Sequence, residues 1–248
     1  MKWLRLVRSE LRKLTSTKMP WAFLAVLLAI GATTAVAVIL GEDMDGSKAF
    51  VSTAVDQQSL MAFAANAMMI AGLFGATAVA REYGHDTVVP TFLATPRRYR
   101  AVLAQLTAVF IGGGLLGLVG AGLTVGAVVV GLPSTGYAFM VSAGDVARVL
   151  LAAAFTGAVG AVLGAGIGAL VRNTGGAVTG AFLLLVVAPP LAMQLASGTA
   201  SWVPSSLANV LSGVGDQVTV MAAFGALAAW AVIPAVVGLI SVQRRDVI

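Results

Sequence analysis

Cysteine is absent from this chain of 248 residues, histidine occurs once, and charged residues make up only 10%. Without cysteine, the chain can form neither a disulfide nor a thiolate metal site. A soluble domain has about 25% charged residues. The low charged fraction, together with 59% hydrophobic residues and a mean hydropathy of +0.97, therefore excludes an ordinary soluble domain. The chain is predicted to be an integral membrane protein.

The sequence also lacks the patterns that enzymes and self-powered transporters use. It contains no GxxxxGK[ST] phosphate-binding loop, and the glycine-rich stretch GAGIGAL at 164–170 has no lysine. Ionisable residues are missing from the interiors of the apolar runs, where ion-coupled transporters carry them. No group of His, Asp and Glu has the spacing of a metal site, and no nucleophile has a paired base. We therefore expect no catalytic residue, no cofactor and no metal, and energy for any transport must come from another polypeptide.

Six apolar runs are long enough to cross a hydrocarbon core about 30 Å thick, which takes about 20 helical residues. Helices are expected because the runs are apolar on all sides, whereas barrel strands alternate. The predicted fold class is an all-α integral membrane protein in a single transmembrane domain, 1–248. The six predicted spans are Trp21–Leu40, Leu60–Ala80, Ala101–Gly131, Val146–Val171, Gly175–Ala196 and Val218–Ile240.

Charge divides unequally between the two ends of these spans. One end holds 13 basic and 4 acidic residues, a net charge of +9, and the other holds 2 basic and 6 acidic residues, a net charge of −4. Because basic residues collect on the cytoplasmic side, both termini and segment 81–100 are predicted to be cytoplasmic in a multi-pass cell-membrane protein. The same basic residues attract anionic lipid headgroups, which accounts for the pI of about 10.1. Nucleic acid is not an expected partner.

The first 19 residues predict an amphipathic elbow helix that lies on the membrane. At 100° per residue, one face carries Trp3, Leu4, Val7, Leu11 and Leu14, and the opposite side carries Lys2, Arg5, Arg8, Arg12 and Lys13. The alternative is the charged region of a signal peptide with Ala35-Val36-Ala37 as its cleavage site. A leading region of about twenty residues is long for that alternative, and the apolar run that follows it is too long.

Glycines recur at intervals of four in the third and fourth spans. They are Gly160, Gly164 and Gly168 in the fourth span, and Gly113, Gly117, Gly122 and Gly126 in the third. Small residues at this spacing let helix backbones approach closely in lipid. The pattern fits packing within one chain, which we favour, or a seam between two copies.

Two consecutive prolines, Pro189 and Pro190, fall within the fifth span. They remove two backbone donors, so we expect a break or kink there. The following segment, 197–217, has too little charge for a free loop and is too short to cross the membrane. It is predicted to be an outer-face re-entrant segment with Ser205 and Asn209 as polar contacts and Trp202 as an interface anchor. An ordinary loop is the alternative.

Segment 81–100, REYGHDTVVPTFLATPRRYR, is the one long polar stretch inside the chain. Thr95 followed by Pro96 is typical of a helix start. Before it, the apolar stretch 88–93 lies on the aqueous side and is typical of a protein contact. The alternative is that Phe92 and Leu93 lie against the bilayer, with basic side chains on phosphates, namely Arg97, Arg98 and Arg100.

The stretch REYGHDTVVPTFLATPRRYRAVLAQ resembles the cytoplasmic loop of type-2 ABC transporter permeases, especially the small actinobacterial ones. That loop reads approximately R-E-[YF]-x-H-G-T-x-x-x-T-L-L-x-T-P-R-R. The matching residues here are Arg81, Glu82, Tyr83, His85, Thr87, Thr91, Leu93, Thr95, Pro96, Arg97 and Arg98. The opening SELRKLTSTKMPWA and six spans with a broken fifth are also similar to the family. Asp86 stands where the family has glycine, with Gly84 two places earlier, so the turn geometry differs.

The resemblance implies that 81–100 is a coupling loop that docks on a separate ABC ATP-binding subunit. The residues it assigns to this contact are Arg81, Glu82, Tyr83, His85, Asp86, Thr87, Phe92 and Leu93. It further implies a non-catalytic permease subunit that pairs with a second permease subunit, as a homodimer, and exports an amphiphilic or lipid-like substrate. His85 is expected to form structural hydrogen bonds rather than act as a pH switch. The alternative function is a membrane scaffold or anchor without transport; a secondary transporter ranks third because the spans lack ionisable groups.

Overall fold

The computed structural model describes residues 2–43, 46–84, 98–195, 197–215 and 217–244, and throughout these ranges all regular secondary structure is helical. Six helices in this part of the chain are long and apolar enough to cross a membrane. The prediction of an all-α protein with six candidate membrane spans is therefore confirmed.

The described ranges contain ten α-helices, with short 3-10 helices at several of their ends. They are α1 (Lys2–Thr15), α2 (Met19–Leu40), α3 (Ala54–Ala62), α4 (Ala67–Gly84), α5 (Arg98–Gly131), α6 (Ala143–Val171), α7 (Thr174–Phe182), α8 (Ala188–Leu195), α9 (Pro204–Leu211) and α10 (Val220–Arg244). The 3-10 helices are Ala49–Val51, Phe63–Asn66, Leu132–Thr135 and Ser197–Trp202, and a π-helical turn, Leu183–Val187, joins α7 to α8. The six spans are α2, α3 with α4, α5, α6, α7 with α8, and α10.

The second span begins earlier than predicted, at Ala54 rather than Leu60, and continues to Gly84. The cause is a capping box in which the Asp56 amide donates to the Thr53 hydroxyl oxygen and the Thr53 amide donates to the Asp56 carboxylate. This start places a charged residue in the first helical turn, so hydropathy alone sets the boundary too late.

Helix α6 is the centre of the bundle and packs against α4, α5 and α10. Glycine makes this packing close: a Cβ added at Gly164 would lie 1.9 Å from the Gly72 carbonyl oxygen, and one added at Gly117 would lie 2.1 Å from that of Ala153. Gly160 and Gly168 similarly face backbone of α4. The prediction that these glycines pack helices within one chain is confirmed, whereas Gly122 and Gly126 have no described atom within 4 Å of an added Cβ.

Three spans surround this centre and remain mostly exposed: α2, α7 with α8, and α10. Their outward side chains are apolar; examples are Leu28, Phe182 and Ile233. Such surfaces suit a hydrocarbon solvent, since isolated apolar helices satisfy their own backbone groups.

The fifth span is distorted rather than broken, which corrects the prediction of a break at Pro189 and Pro190. Helix continues from Thr174 to Leu195, and its irregularity is the π-helical turn immediately before the prolines. In that turn, the Ala188 amide donates to the Leu183 carbonyl five residues back. The wider turn accommodates two residues without an amide donor while the chain stays helical.

The segment after this span is helical and packed rather than an open loop. Its 3-10 helix, Ser197–Trp202, leads into α9, which packs on α10 and α6. Leu207 and Val210 of α9 are buried, whereas Asn209 is exposed and Ser205 is half-buried.

Successive candidate spans run in opposite directions through the bundle. The bundle therefore has two end faces, which we name by their net charge. The basic face contains α1, the start of α2, the ends of α4 and α6, and the end of α10. The acidic face contains the described segments 41–43, 46–53, 132–142, 197–215 and 217–219. Contacts distant in sequence join the parts of each face: Lys13 contacts Glu82 on the basic face, and Arg148 contacts Leu211 on the acidic face.

Candidate functional site

The end of α4 on the basic face brings together three of the residues that the sequence singled out. Arg81, Glu82 and Tyr83 are consecutive on a helix, so their side chains project about 100° apart. Each therefore reaches a different neighbour. Their contacts are with α2, with α1 and with the end of α6, respectively.

Glu82 joins α4 to the elbow helix through Lys13. The Lys13 ammonium lies 2.8 Å from Glu10 Oε1 and 3.4 Å from Glu82 Oε1. Glu10 and Glu82 are largely buried, with side-chain exposures of 8% and 13%, whereas the Lys13 side chain is 40% exposed. Burial lowers the pKa of Lys13, but its hydrogen bond to Glu10 and the charges of Glu82 and Glu10 outweigh burial and raise the pKa above its usual 10.5. Lys13 therefore stays charged at neutral pH and holds two carboxylates together.

Tyr83 joins α4 to the end of α6. The Arg172 guanidinium lies over the Tyr83 ring, 5.3 Å from its centroid, and Arg172 Nη2 donates to the Ser241 carbonyl of α10 at 3.3 Å. Arg172 reaches both because it ends α6 in the left-handed conformation, with φ 54°. Arg172 therefore connects the ends of α4, α6 and α10.

Arg81 makes the third link, since its Nη1 lies 3.8 Å from the Met19 sulfur at the first residue of α2. The ends of α1, α2, α4, α6 and α10 are therefore connected around three consecutive side chains. We call Arg81, Glu82, Tyr83, Lys13 and Arg172 the basic-face junction.

Of the remaining predicted site residues, some lie in the described ranges and others lie outside them. Arg5, Arg8, Arg12 and Arg100 are exposed, as expected of residues at a membrane surface, and Arg98 is the first residue of α5. Lys13, also predicted among the basic residues at the membrane surface, keeps 40% of its side chain exposed while it contacts the buried Glu10 and Glu82. His85, Asp86, Thr87, Phe92, Leu93 and Arg97 lie outside the described residues.

A second polar cluster, which the sequence analysis missed, lies on the acidic face. Gln57 is fully buried; its amide nitrogen donates to the carbonyls of Val51 at 3.1 Å and Ala138 at 2.9 Å, and its oxygen accepts from the Met140 amide at 2.9 Å. This one side chain therefore joins the loop before α3 to the loop before α6.

Its neighbour Gln58 and the α6 residue Arg148 hold the end of α9. Gln58 Nε2 donates to the Ser212 carbonyl at 3.1 Å, and the Arg148 guanidinium donates to those of Leu211 at 3.0 Å and Val210 at 3.1 Å. The last carbonyls of a helix have no partner within it and carry partial negative charge, so a guanidinium there is favourable. We call Gln57, Gln58 and Arg148 the acidic-face clasp. Two adjacent glutamines near the start of an apolar span, Gln57 and Gln58, are the sequence feature that could have indicated this cluster.

An apolar cleft of about 290 Å³ opens between α2, α4, α5 and α7. Its walls include Leu27, Ile70, Leu73 and Phe182. The Thr124 hydroxyl, the one hydroxyl among the described lining residues, donates to the Gly120 carbonyl at 3.0 Å. The cleft therefore offers apolar contact and suits a hydrocarbon chain better than a polar molecule.

Within the described ranges, no group of three or more His, Cys, Asp or Glu side chains is placed to hold a metal ion. Comparison with known proteins gives no match to a family model and no match to a curated protein.

Proposed function

We propose that the chain is the membrane-spanning subunit of an ABC exporter, similar to type-2 permeases, and that a separate ATPase drives it from the basic face. The basic-face junction is the observation that carries this proposal. Its three α4 residues stand immediately before the loop that resembles the family's coupling loop. A displacement of that loop would act first on Arg81, Glu82 and Tyr83, and through them on α1, α2 and α6.

The packing of the bundle supports transmission of such a displacement. Helices α4, α5 and α6 meet backbone to backbone at glycines, so they move most readily as one body. Helix α10 joins this body, because a Cβ added at Gly166 of α6 would lie 2.6 Å from the Pro234 carbonyl oxygen of α10. The glycines of the peripheral spans α2 and α7 have side-chain atoms as their nearest neighbours instead. Motion of the central body relative to these spans is the proposed response to ATP.

Orientation and membrane placement follow from the charges. The basic face and both termini are proposed to be cytoplasmic. Helix α1 would lie at the interface as an elbow helix, with Arg5, Arg8 and Arg12 at lipid phosphates. Helix α9 would enter the outer leaflet as a re-entrant segment. A second copy of the chain would complete the permease.

The proposed substrate is amphiphilic or lipid-like. The apolar cleft supports this class because it opens beside exposed faces of α2 and α7, where a hydrocarbon chain could enter from the membrane. The absence of described charged residues from its lining argues against ions and sugars.

Site-specific photo-crosslinking tests the docking surface. A photoreactive residue at position 92 is expected to give an ATP-dependent crosslink to a protein that carries an ATP-binding cassette, whereas the same residue at Ser134 on the acidic face should give none. If the residue at position 92 crosslinks no ATPase in cells that express the native partners, the chain acts as a scaffold or anchor instead.

Substitutions at the junction test coupling separately from docking. Glu82→Gln and Tyr83→Ala are expected to lower substrate-stimulated ATPase activity of the purified complex about tenfold, with the ATPase still bound. Glu42→Gln, an exposed acid on the acidic face, should leave the activity unchanged. Full activity in both junction variants would contradict the role given to Arg81, Glu82 and Tyr83.

A further inference from the structure

A separate apolar cavity of about 250 Å³ lies toward the acidic face, between the fifth and sixth spans. Its walls come from α8, α9, α10 and the residues beside them; they include Leu184, Ala188, Pro189, Ala192, Trp202 and Trp230. None of these residues lines the cleft between α2 and α7.

The irregular fifth span is the local cause of this cavity. The π-helical turn contributes Leu184, and α8 contributes Pro189 together with two small residues, Ala188 and Ala192. A π-helical turn is wider than an α-helical one and shifts the direction of the residues that follow it. The part of α8 that lines the cavity carries the small side chains of Ala188 and Ala192, where larger ones would fill the space.

The described lining residues offer a ligand no charge and little opportunity for hydrogen bonding. The Thr199 hydroxyl, the one hydroxyl among the described lining residues, donates to the Ala192 carbonyl at 3.0 Å, and the Trp230 indole donates to the Trp202 carbonyl at 3.3 Å. Apolar cavities exclude water and take apolar ligands; one of about 150 Å³ holds benzene. Both water and a polar ligand are therefore disfavoured here.

We infer that this cavity binds one hydrocarbon chain of a lipid from the leaflet on the acidic-face side. It extends from Trp202, beside the acidic-face end of the fifth span, to Trp230, about ten residues into α10, which at about 1.5 Å per residue is about half of a hydrocarbon core about 30 Å thick. Trp202 is half exposed there, as interface tryptophans are. A helix satisfies its own backbone groups, but with a diameter of about 10 Å it is too wide for a cavity of about 250 Å³. An extended protein segment would bring backbone amides and carbonyls that the lining cannot satisfy. The inference is independent of export, because it rests only on the cavity and on its depth.

Quenching of Trp230 fluorescence by brominated acyl chains tests the inference. The reporter is the full chain with Trp3→Phe, Trp21→Phe and Trp202→Phe, so that Trp230 is the one remaining tryptophan. In micelles of an unbrominated detergent, added brominated phosphatidylcholine is expected to quench Trp230 saturably, near one lipid per chain. Quenching that rises linearly with the lipid fraction would mean ordinary lipid contact and would overturn the inference.

Filling the cavity provides a second measurement. Ala192→Leu in the same background should reduce quenching by at least twofold, whereas Ala229→Leu on the exposed side of α10 should not change it. Equal quenching in Ala192→Leu and its parent would overturn the inference. Neither result depends on an ATPase, so failure here leaves the proposed function standing.

Discussion

At the scale of single residues, Lys13 makes the most consequential contact of the basic face. It lies between Glu10 and Glu82, two carboxylates that are more buried than it is. A buried charge that loses its partner costs far more than an exposed pair contributes. Lys13 therefore contributes more to the free energy of unfolding than the exposed arginines of the same helix do.

Lys13→Met is expected to destabilise the protein by about 2 kcal/mol, below the 3–5 kcal/mol of a fully buried pair because Lys13 is partly exposed. Thermal unfolding in detergent measures this. Arg12→Met, which removes the same charge from an exposed position of the same helix, should change stability by less than about 0.5 kcal/mol. Adding Glu10→Gln and Glu82→Gln to Lys13→Met should restore much of the loss. Equal melting temperatures for Lys13→Met and Arg12→Met would contradict the role of Lys13.

Gln57 has a comparable position on the acidic face, where it satisfies three backbone groups of two loops. Gln57→Leu is expected to cost about 2–4 kcal/mol, because each buried group left without a partner costs about 1–3 kcal/mol and water recovers part of that cost. Gln58→Leu, which loses one bond from a half-buried side chain, should cost about 1 kcal/mol or less. Chemical denaturation of the two variants measures both losses of stability. A larger loss in Gln58→Leu than in Gln57→Leu would contradict the role given to Gln57.

At the scale of elements, the bundle depends on how closely α6 approaches its neighbours. In a hydrocarbon solvent no hydrophobic effect drives helices together, so their association depends on close packing. The glycines of α6 allow this packing because they have no side chain. Gly164 faces the backbone of α4, whereas Gly122 on α5 faces open space. The same substitution at these two sites separates packing from helix propensity.

Gly164→Ala is expected to destabilise the protein by about 2–3 kcal/mol, because the new Cβ would lie 1.9 Å from the Gly72 oxygen and must push α4 away. Gly122→Ala should be neutral or stabilising by up to about 1 kcal/mol, since alanine favours helix over glycine. Size-exclusion profiles and melting temperatures of the two variants provide the test. Similar stability in both would rule out the packing of α6 described here.

The end of α9 depends on Arg148, which donates two charge-assisted bonds to its last carbonyls. Arg148→Met should cost about 1.5–3 kcal/mol locally, which corresponds to about 10- to 100-fold faster amide exchange in 204–215. Arg148→Lys should recover only part of the protection, because an ammonium cannot reproduce the paired donors.

Hydrogen–deuterium exchange measured by mass spectrometry follows that segment directly, with α6 peptides as an internal reference. Unchanged exchange of α9 in Arg148→Met would contradict its role in the clasp.

The elements differ in how far the sequence predicts them. Hydropathy is a local property, so it identified six spans, and the spacing of Gly160, Gly164 and Gly168 predicted close packing. The clasp could not be predicted, because Gln58 and Ser212 are 154 residues apart and only the folded bundle joins them. The contact between Lys13 and Glu82, which are 69 residues apart, depends on the folded bundle in the same way. At the prolines, the sequence indicated an irregularity but not that a π-helical turn would absorb it.

At the scale of the whole molecule, the second span connects the two polar clusters. It begins at the acidic-face clasp with Gln57 and Gln58, and it ends at the basic-face junction with Arg81, Glu82 and Tyr83. Its α4 part is largely buried and fixed to α6 through glycine. A displacement applied at one face therefore has a stiff route to the loops of the other, as the proposed exporter requires.

The proposed function requires the basic face to be cytoplasmic, because an ATPase can act only on the cytoplasmic face. The chain has no cysteine, so Phe92→Cys and Ser134→Cys each introduce one unique thiol. On intact cells, a membrane-impermeant maleimide is predicted to label position 134 and to label position 92 only after permeabilisation. Labelling of position 92 in intact cells, with position 134 protected, would contradict the proposal that a cytoplasmic ATPase drives this protein.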